Sequence, residues 1–156
     1  MSAGFPAPRL YFEDFPVGEV VTYGRYEVTA EEIVAFAREF DPQPFHLDAG
    51  AARQTILGGL AASGWHVCAI FMRMMYDGYI AETASLGSPG IDEVKWLKPV
   101  HAGDVLACRR TTRAARTSAK RPEMGLVTFH WELFDAAGER KTDIVGTSIV
   151  AVRGRA

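Results

Sequence analysis

Hydrophobic residues follow a helical period in the first half of the chain. Thr29 and Glu32 form a T-x-x-E capping box, and the apolar residues that follow are spaced i, i+3, i+4 and i+7: Ile33, Phe36, Ala37 and Phe40. This pattern predicts an amphipathic helix over 29–40, preceded by a strand over 20–28. A second stretch, from Gly58 to Asp77, is apolar on nearly all sides and predicts a buried central helix.

The second half changes to strand-like runs rich in Val, Ile, Thr, Phe and Trp. These runs cover 92–100, 105–112, 126–135 and 142–152, and they predict four strands. Their connections are too short for parallel crossovers. With 156 residues the chain has room for one domain. We therefore predict a single α+β domain, 1–156 with its core at about 11–152, in which an antiparallel sheet wraps around the central helix.

The segment between the two predicted helices contains the strongest candidate chemistry. Pro42 and Pro44 must end the first helix, and they predict a stiff, extended segment from Asp41 to His46. A carboxylate and an imidazole held five residues apart in this way can act as an acid–base pair. From the residues alone the alternative also stands, in which Asp41 ends a helix and His46 is an ordinary loop histidine.

Composition and charge narrow the class of protein. The chain is 48% hydrophobic and 23% charged, typical of a globular protein. Its net charge of −2 offers no strong attraction for nucleic acid or an anionic membrane surface. Cys68 and Cys108 lack metal-ligand spacing, so we expect small buried apolar residues and no metal site. Without a secretory leader or a membrane-spanning stretch, we expect a cytoplasmic location.

Three segments resemble the MaoC-like dehydratases and (R)-specific enoyl-CoA hydratases. Residues 36–52, FAREFDPQPFHLDAGAA, resemble the hydratase signature of that family: Asp41, Pro44 and His46 match, while Gln43 stands where the family usually has Asn. Residues 56–63, ILGGLAAS, resemble the start of its glycine-led central helix. Residues 89–104 resemble its strand that runs into P-V-x-x-G-D, so the likeness extends over about 11–152.

The resemblance implies a hot-dog fold and an acyl thioester substrate carried by coenzyme A or a carrier protein. Asp41 and His46 would activate the water that adds to C3 of a trans-2-enoyl-CoA, and one of them would supply the proton at C2. A backbone N–H at the start of the central helix, that of Gly58, would stabilise the enolate oxygen, and Ser63 would orient His46 or the water. Gln43 and Pro44 would belong to the substrate loop.

The same resemblance implies an enoyl-CoA hydratase or 3-hydroxyacyl dehydratase that assembles as a homodimer or a dimer of dimers. No metal is expected, and no cofactor other than the coenzyme A of the substrate. Two other functions stay open: an acyl-CoA thioesterase with the same fold, and a hot-dog protein that binds an acyl thioester without turnover.

Several residues allow a structural explanation beside a functional one. Ser63 is also a small residue that permits close helix packing, and His66 is interpreted as a core histidine outside the catalytic set. The basic stretch from Arg109 to Arg121 could contribute phosphate ligands for coenzyme A or form a solvated hairpin. The large side chains of the central helix could line an acyl pocket or belong to the core or a dimer interface: Trp65, Phe71, Met72, Met74, Met75 and Tyr76.

Overall fold

The computed structural model describes residues 4–155. The chain forms five strands: β1 (Val20–Glu27), β2 (Ser85–Trp96), β3 (Val105–Thr117), β4 (Met124–Phe134) and β5 (Arg140–Ala151). Its α-helices are α1 (Ala30–Phe40), α2 (Pro44–Leu47), α3 (Ala49–Arg53) and α4 (Gly64–Gly78). Short 3-10 turns lie at Phe12–Asp14 and Ile80–Glu82.

The five strands form one antiparallel sheet in the order β1-β3-β4-β5-β2, with β1 and β2 at its edges. Alternate residues of β4 point toward α4 and are buried with it: Val127, Phe129, Trp131 and Leu133 from the strand, and Val67, Ile70, Phe71, Met74 and Met75 from the helix. Because a strand turns every second side chain to the same face, β4 supplies a continuous apolar surface for the helix. The predicted α+β hot-dog architecture is confirmed.

Helix α1 begins as the capping box predicts. Thr29 is the N-cap, and its Oγ1 accepts a hydrogen bond of 3.2 Å from the Glu32 N–H. The Glu32 carboxylate does not complete the box; instead it accepts a hydrogen bond from Tyr26 Oη at 3.0 Å. The helix buries Ile33 and Ala37, and it ends at Phe40, so Asp41 is its C-cap residue.

Two predictions about local structure are wrong. The central helix begins at Gly64 and not at Gly58. Gly58 lies in a turn with φ +72°, and its N–H donates to Thr55 O. The chain then pairs with the segment after β2, because Ala61 forms a bridge with His101. The extended conformation expected up to His46 stops at Pro44, which opens the helical turn α2 from the position where proline is well tolerated.

Strand β2 is longer at its start than the sequence predicts. It begins at Ser85 rather than at residue 92, and it passes through Gly87 and Gly90, both with positive φ. The register with β5 shifts at these glycines. A Gly-Ser-Pro-Gly run has the composition of a turn, and here it forms an irregular edge strand. The strand also ends earlier, at Trp96, after which the N–H groups of Leu97 and Lys98 both donate to Lys141 O.

The core contains a charged side chain. Arg110 on β3 is only 3% exposed and forms an ion pair with Glu19. Its guanidinium also lies 4.6 to 5.0 Å from the ring centroids of Tyr79, Phe15 and Phe129. Aromatic faces attract cations, so the pair and the rings together compensate part of the cost of burying this charge.

Both cysteines are free thiols. Cys108 is fully buried, and burial raises the pKa of its thiol to about 12. In the part of the chain from 4 to 155, no helix combines the length and the apolar character needed to cross a membrane.

Candidate active site

Asp41 and His46 come together at the junction of α1 and α2. Asp41 stops α1 with its N–H bonded to Ala37 O at 3.0 Å, and the turn of α2 brings His46 back toward it. His46 Nε2 lies 3.4 Å from Asp41 Oδ2, and the two side chains are 8% and 19% exposed. Asp41 therefore is a helix-ending residue and also lies beside the histidine, so the structural explanation and the chemical one are compatible.

The Asp41 carboxylate is held by two further side chains. Ser63 Oγ donates to Oδ2 at 2.7 Å, and Gln43 Nε2 donates to Oδ1 at 2.8 Å. The hydrogen bond from Ser63, helped by the one from Gln43 and by the nearby His46, lowers the pKa of Asp41 against the opposing effect of desolvation. The carboxylate is therefore ionised at neutral pH and fixed in orientation. Ser63 contacts the aspartate, whereas the sequence pointed to His46 or the water.

The tautomer of neutral His46 follows from its second contact. Nδ1 lies 2.7 Å from the carbonyl oxygen of Ala61. A carbonyl can only accept, so Nδ1 carries the hydrogen and Nε2 presents a lone pair next to Asp41 Oδ2. Two acceptors 3.4 Å apart can each take one hydrogen from the same water molecule. The bridge between Ala61 and His101 fixes the carbonyl that sets this arrangement.

The start of α4 faces the same place. Ser63 is the N-cap residue, but its hydroxyl bonds to Asp41 instead of capping the helix. The first N–H groups of a helix have no intrahelical partner, and Gly64, the first residue of α4, lines the cavity beside His46. The N–H expected as a donor at Gly58 is bonded to Thr55 O instead and does not belong to the start of α4.

A cavity of about 510 Å³ opens beside His46. Its inner wall consists of buried apolar side chains, Ala62, Val67 and Val100, together with Thr142 of β5. Trp96 lies against the backbone of Gly64 so closely that a Cβ there would clash with the indole ring. Glycine at this position thus lets the indole lie directly over the start of the helix.

The positively charged side chain at the cavity lies outside the basic stretch 109–121. Lys98, in the segment after β2, is exposed and lines the cavity. By contrast, the basic stretch 109–121, for which phosphate binding was one of two interpretations, contributes Arg110 to the core and Arg109 to an ion pair of 2.8 Å with Glu132. The only feature of the sequence that pointed to this region was the likeness to P-V-x-x-G-D, which begins one residue after Lys98.

The large side chains of α4 named above do not line the cavity beside His46. Phe71, Met74 and Met75 are core residues, whereas Trp65, Met72 and Tyr76 are exposed by 64%, 48% and 43%. Some of these residues, with part of β2, line a separate cavity of about 200 Å³. The interpretation as core residues is confirmed for the three buried side chains.

His66 lies one helical turn after Ser63 and is buried against the ring of Phe36, with 4.8 Å between the ring centroids. Its Nε2 is 3.5 Å from Glu32 Oε1, and its Nδ1 has no hydrogen-bond partner. Burial lowers the pKa of His66, which favours the neutral ring. The core position expected for this histidine is observed, but only one of its two nitrogens is near a polar group.

One group of side chains between 4 and 155 has the spacing of metal ligands: His130, Glu132 and Asp143, on the face of the sheet away from α4. Arginines already occupy this cluster, because Glu132 pairs with Arg109 at 2.8 Å and with Arg140 at 3.1 Å. Arg140 also lies 3.5 Å from Asp143. The acidic charge is thus balanced by side chains of the protein, and the cluster is best described as an ion-pair network.

Comparison with known proteins gives the family. The model of the MaoC like domain matches residues 14–128, and the chain belongs to that family. The structure of a MaoC-like dehydratase from Rhodospirillum rubrum is similar, with 38% identity, a TM-score of 0.83, and coverage of 93% of this chain and 99% of the other. Membership supports hydration or dehydration of acyl thioesters as the general chemistry.

Two further relatives are more distant. The chain is 28% identical over 117 residues to YdeM, an uncharacterised protein of Bacillus subtilis (strain 168), a match that covers 74% of this chain and 81% of that protein. The unliganded R-hydratase PhaJ1 from Pseudomonas aeruginosa has 21% identity and a TM-score of 0.71, with coverage of 90% of this chain and 84% of the other. The latter likeness shows the shared fold.

Proposed function

We propose that the protein is an enoyl-CoA hydratase or 3-hydroxyacyl dehydratase in which Asp41 and His46 are the acid–base pair. The observation that carries the proposal is the pair of acceptors, Asp41 Oδ2 and His46 Nε2, 3.4 Å apart next to a cavity. Both acceptors are fixed, the first by Ser63 and the second through the Ala61 carbonyl. Such preorganisation is what positions a water for attack.

In the hydration direction the water donates one hydrogen to each acceptor. Its oxygen lone pair forms the bond to C3 of the trans-2-enoyl thioester, while the C2–C3 π electrons move toward the thioester carbonyl and give an enolate. The proton lost by the water passes to the Asp41–His46 pair. The enolate collapses by taking a proton from that pair at C2, so one water is added and no proton is gained or lost. Dehydration is the reverse path.

The developing enolate oxygen needs a hydrogen-bond donor within reach of the thioester carbonyl. The N–H of Gly64 at the start of α4 is suited to this role, because it is an unpaired donor at the positive end of a helix dipole. Lys98 at the cavity is suited to a phosphate of the thioester carrier. In this proposal coenzyme A or a carrier protein enters as part of the substrate, and the acid–base steps use the side chains of the chain itself.

The proposal includes a homodimer or a dimer of dimers. Strand β2 is an edge strand of twelve residues that is exposed along almost its whole length. Leu86, Ile91 and Trp96 of this strand are about half exposed. Unpaired strand edges with apolar side chains are surfaces that a second copy can cover. The oligomeric state can be measured by light scattering at a known protein concentration.

A thioesterase is the second candidate function, because a fixed carboxylate can also activate water against the thioester carbonyl. Incubating the purified protein with crotonyl-CoA and a longer trans-2-enoyl-CoA separates the two, if enoyl absorbance and free thiol are followed in parallel. We expect the enoyl signal to fall without thiol release. Thiol release would favour the thioesterase, and silence in both channels would reject turnover of these substrates and favour a binding protein.

A further inference from the structure

A buried hydroxyl lies in the inner wall of the catalytic cavity. Thr142 on β5 is 1% exposed, lines the cavity, and its Oγ1 has no hydrogen-bond partner. The wall around it is apolar, with Ala62, Val67 and Val100. The residue pairs with Trp96 across the sheet, so the hydroxyl belongs to the same cavity wall as the indole that covers the start of α4.

An unpartnered hydroxyl is unfavourable in such surroundings. Burying a hydroxyl without a partner costs free energy that an apolar side chain of the same size would not cost. Thr55 Oγ1 and Thr83 Oγ1 meet that requirement locally, by donating to Ala52 O and Tyr79 O at 2.8 and 2.7 Å. Thr112 Oγ1 is also buried without a partner among the described residues, but unlike Thr142 it does not line the cavity. Thr142 is paired on both sides, with Leu133 of β4 and Trp96 of β2, and no described residue hydrogen-bonds to its Oγ1.

We infer that Thr142 selects acyl thioesters that carry a neutral oxygen, a hydroxyl or a carbonyl, on the acyl chain beyond C3. The inference rests on the proposed function, because it takes the catalytic pair beside His46 as the place of C2 and C3. The acyl chain then extends past Val67 and Val100 toward Thr142. A site that holds a buried polar group favours the ligand that satisfies it and disfavours the analogue that leaves it unpaired.

The charges around the cavity argue for a neutral oxygen and against a carboxylate. Lys98 is the one cation among the described residues that line the cavity, and it is exposed while Thr142 is buried. Lys141 precedes Thr142 on the strand, but its ammonium is engaged by Asp104, Asp135 and Glu139 at 3.8, 3.4 and 3.0 Å. A carboxylate beside Thr142 would be desolvated without a free counter-charge.

The test uses pairs of trans-2-enoyl-CoA substrates of four, five and six carbons, each with and without a terminal hydroxyl. The measured quantity is the ratio of kcat/KM for the hydroxylated member to that for the plain member. We expect the wild-type ratio to exceed one at one of these lengths. Thr142→Val should lower that ratio roughly fivefold to tenfold, the effect of one neutral hydrogen bond. Thr142→Ser, which keeps the hydroxyl, should preserve it.

Two controls keep the result specific. Thr111→Val makes the same chemical change on the opposite face of the sheet, where Thr111 pairs with His130, and it should leave the ratio unchanged. If Thr142→Val does not fold, Thr142→Ser and Thr142→Ala form a second pair that differs only in the hydroxyl.

Three outcomes overturn the inference. They are a wild-type ratio of one or less at every length, a ratio that Thr142→Val or Thr142→Ala leaves unchanged, and an equal loss in Thr142→Ser. Each of these results would leave a working hydratase in place. If wild-type protein turned over no enoyl-CoA in either set, the proposed function would fail, and this inference would fail with it.

Discussion

Replacing Asp41 by asparagine tests the acid–base pair with little change in shape. In wild type Oδ1 accepts from Gln43 and Oδ2 accepts from Ser63. An asparagine can keep both contacts, because its oxygen can accept from Gln43 and its N–H₂ group can donate to the Ser63 hydroxyl, which also accepts. The cost in folding free energy is then at most about 1 kcal/mol, for exchanging hydrogen bonds to a charged group for neutral ones. The cost in rate is larger, because a positioned general base contributes roughly 10²- to 10⁴-fold.

Expressed as a barrier, that loss of rate is about 3 to 5 kcal/mol. The difference between the two costs is the signature of a catalytic residue. Hydration of crotonyl-CoA, followed by enoyl absorbance, measures the loss of rate, and urea unfolding measures the loss of folding free energy. Asp48→Asn is the matched control: Asp48 caps α3 by accepting from the Ala51 N–H at 2.7 Å, and asparagine caps helices equally well.

We expect Asp48→Asn to retain the wild-type rate and Asp41→Asn to lose at least a hundredfold while remaining folded. If Asp41→Asn kept more than a tenth of the wild-type rate, the carboxylate would not be the base. If its rate fell only in proportion to the folded fraction, the role of Asp41 would be structural, as the C-cap residue of α1.

Three further predictions concern the same site and the core. His46→Ala should lower the rate of enoyl-CoA hydration roughly a hundredfold or more, with no change in the release of free thiol. A rate near wild type would rule out a role for His46 in the acid–base pair. Ser63→Ala removes the main cause of the lowered pKa of Asp41. The pKa then rises, so that on lowering the pH Asp41 becomes protonated earlier than in wild type. The acidic limb of the kcat/KM profile should therefore move to higher pH, and an unmoved limb would contradict this. Glu19→Ala leaves the Arg110 charge buried and unpaired, so urea unfolding should show a loss of about 3 kcal/mol, larger than for Arg110→Met; the reverse order would show that the aromatic rings alone accommodate the charge.

Local signals sufficed for much of the fold. The capping box at Thr29 and the apolar spacing after it defined α1 to within a residue, and the Val- and Thr-rich runs located β3, β4 and β5. The start of α4 could not be found in this way. Residues 58–63 are small and apolar, a composition as compatible with a helix as with the observed bridge to His101. That bridge is a long-range contact, and the spacing of hydrophobic residues along the chain carries no information about it.

The candidate site likewise combines residues that the local sequence marks with residues that it does not. Asp41, Gln43 and His46 lie within six residues, and a proline-rich segment marks them in the sequence. Their partners do not share that signal: the Ala61 carbonyl is a backbone group, and Thr142 is one of two threonines in a strand-forming run. These groups acquire a role only when the sheet closes around α4, because nothing in their identities distinguishes them beforehand.

The position of Ser63 has a consequence for engineering this protein. It occupies the N-cap of α4, yet its hydroxyl bonds to Asp41, so the helix lacks its side-chain cap. Capping preferences alone would suggest Ser63→Asp, since aspartate caps helices well and complements the helix dipole. But Ser63 is buried, and the substitution would put a second negative charge beside Asp41, raise its pKa and cost folding free energy. The usual rule for an N-cap residue therefore does not apply here, and a serine that leaves its helix uncapped serves both the stability and the chemistry of the site.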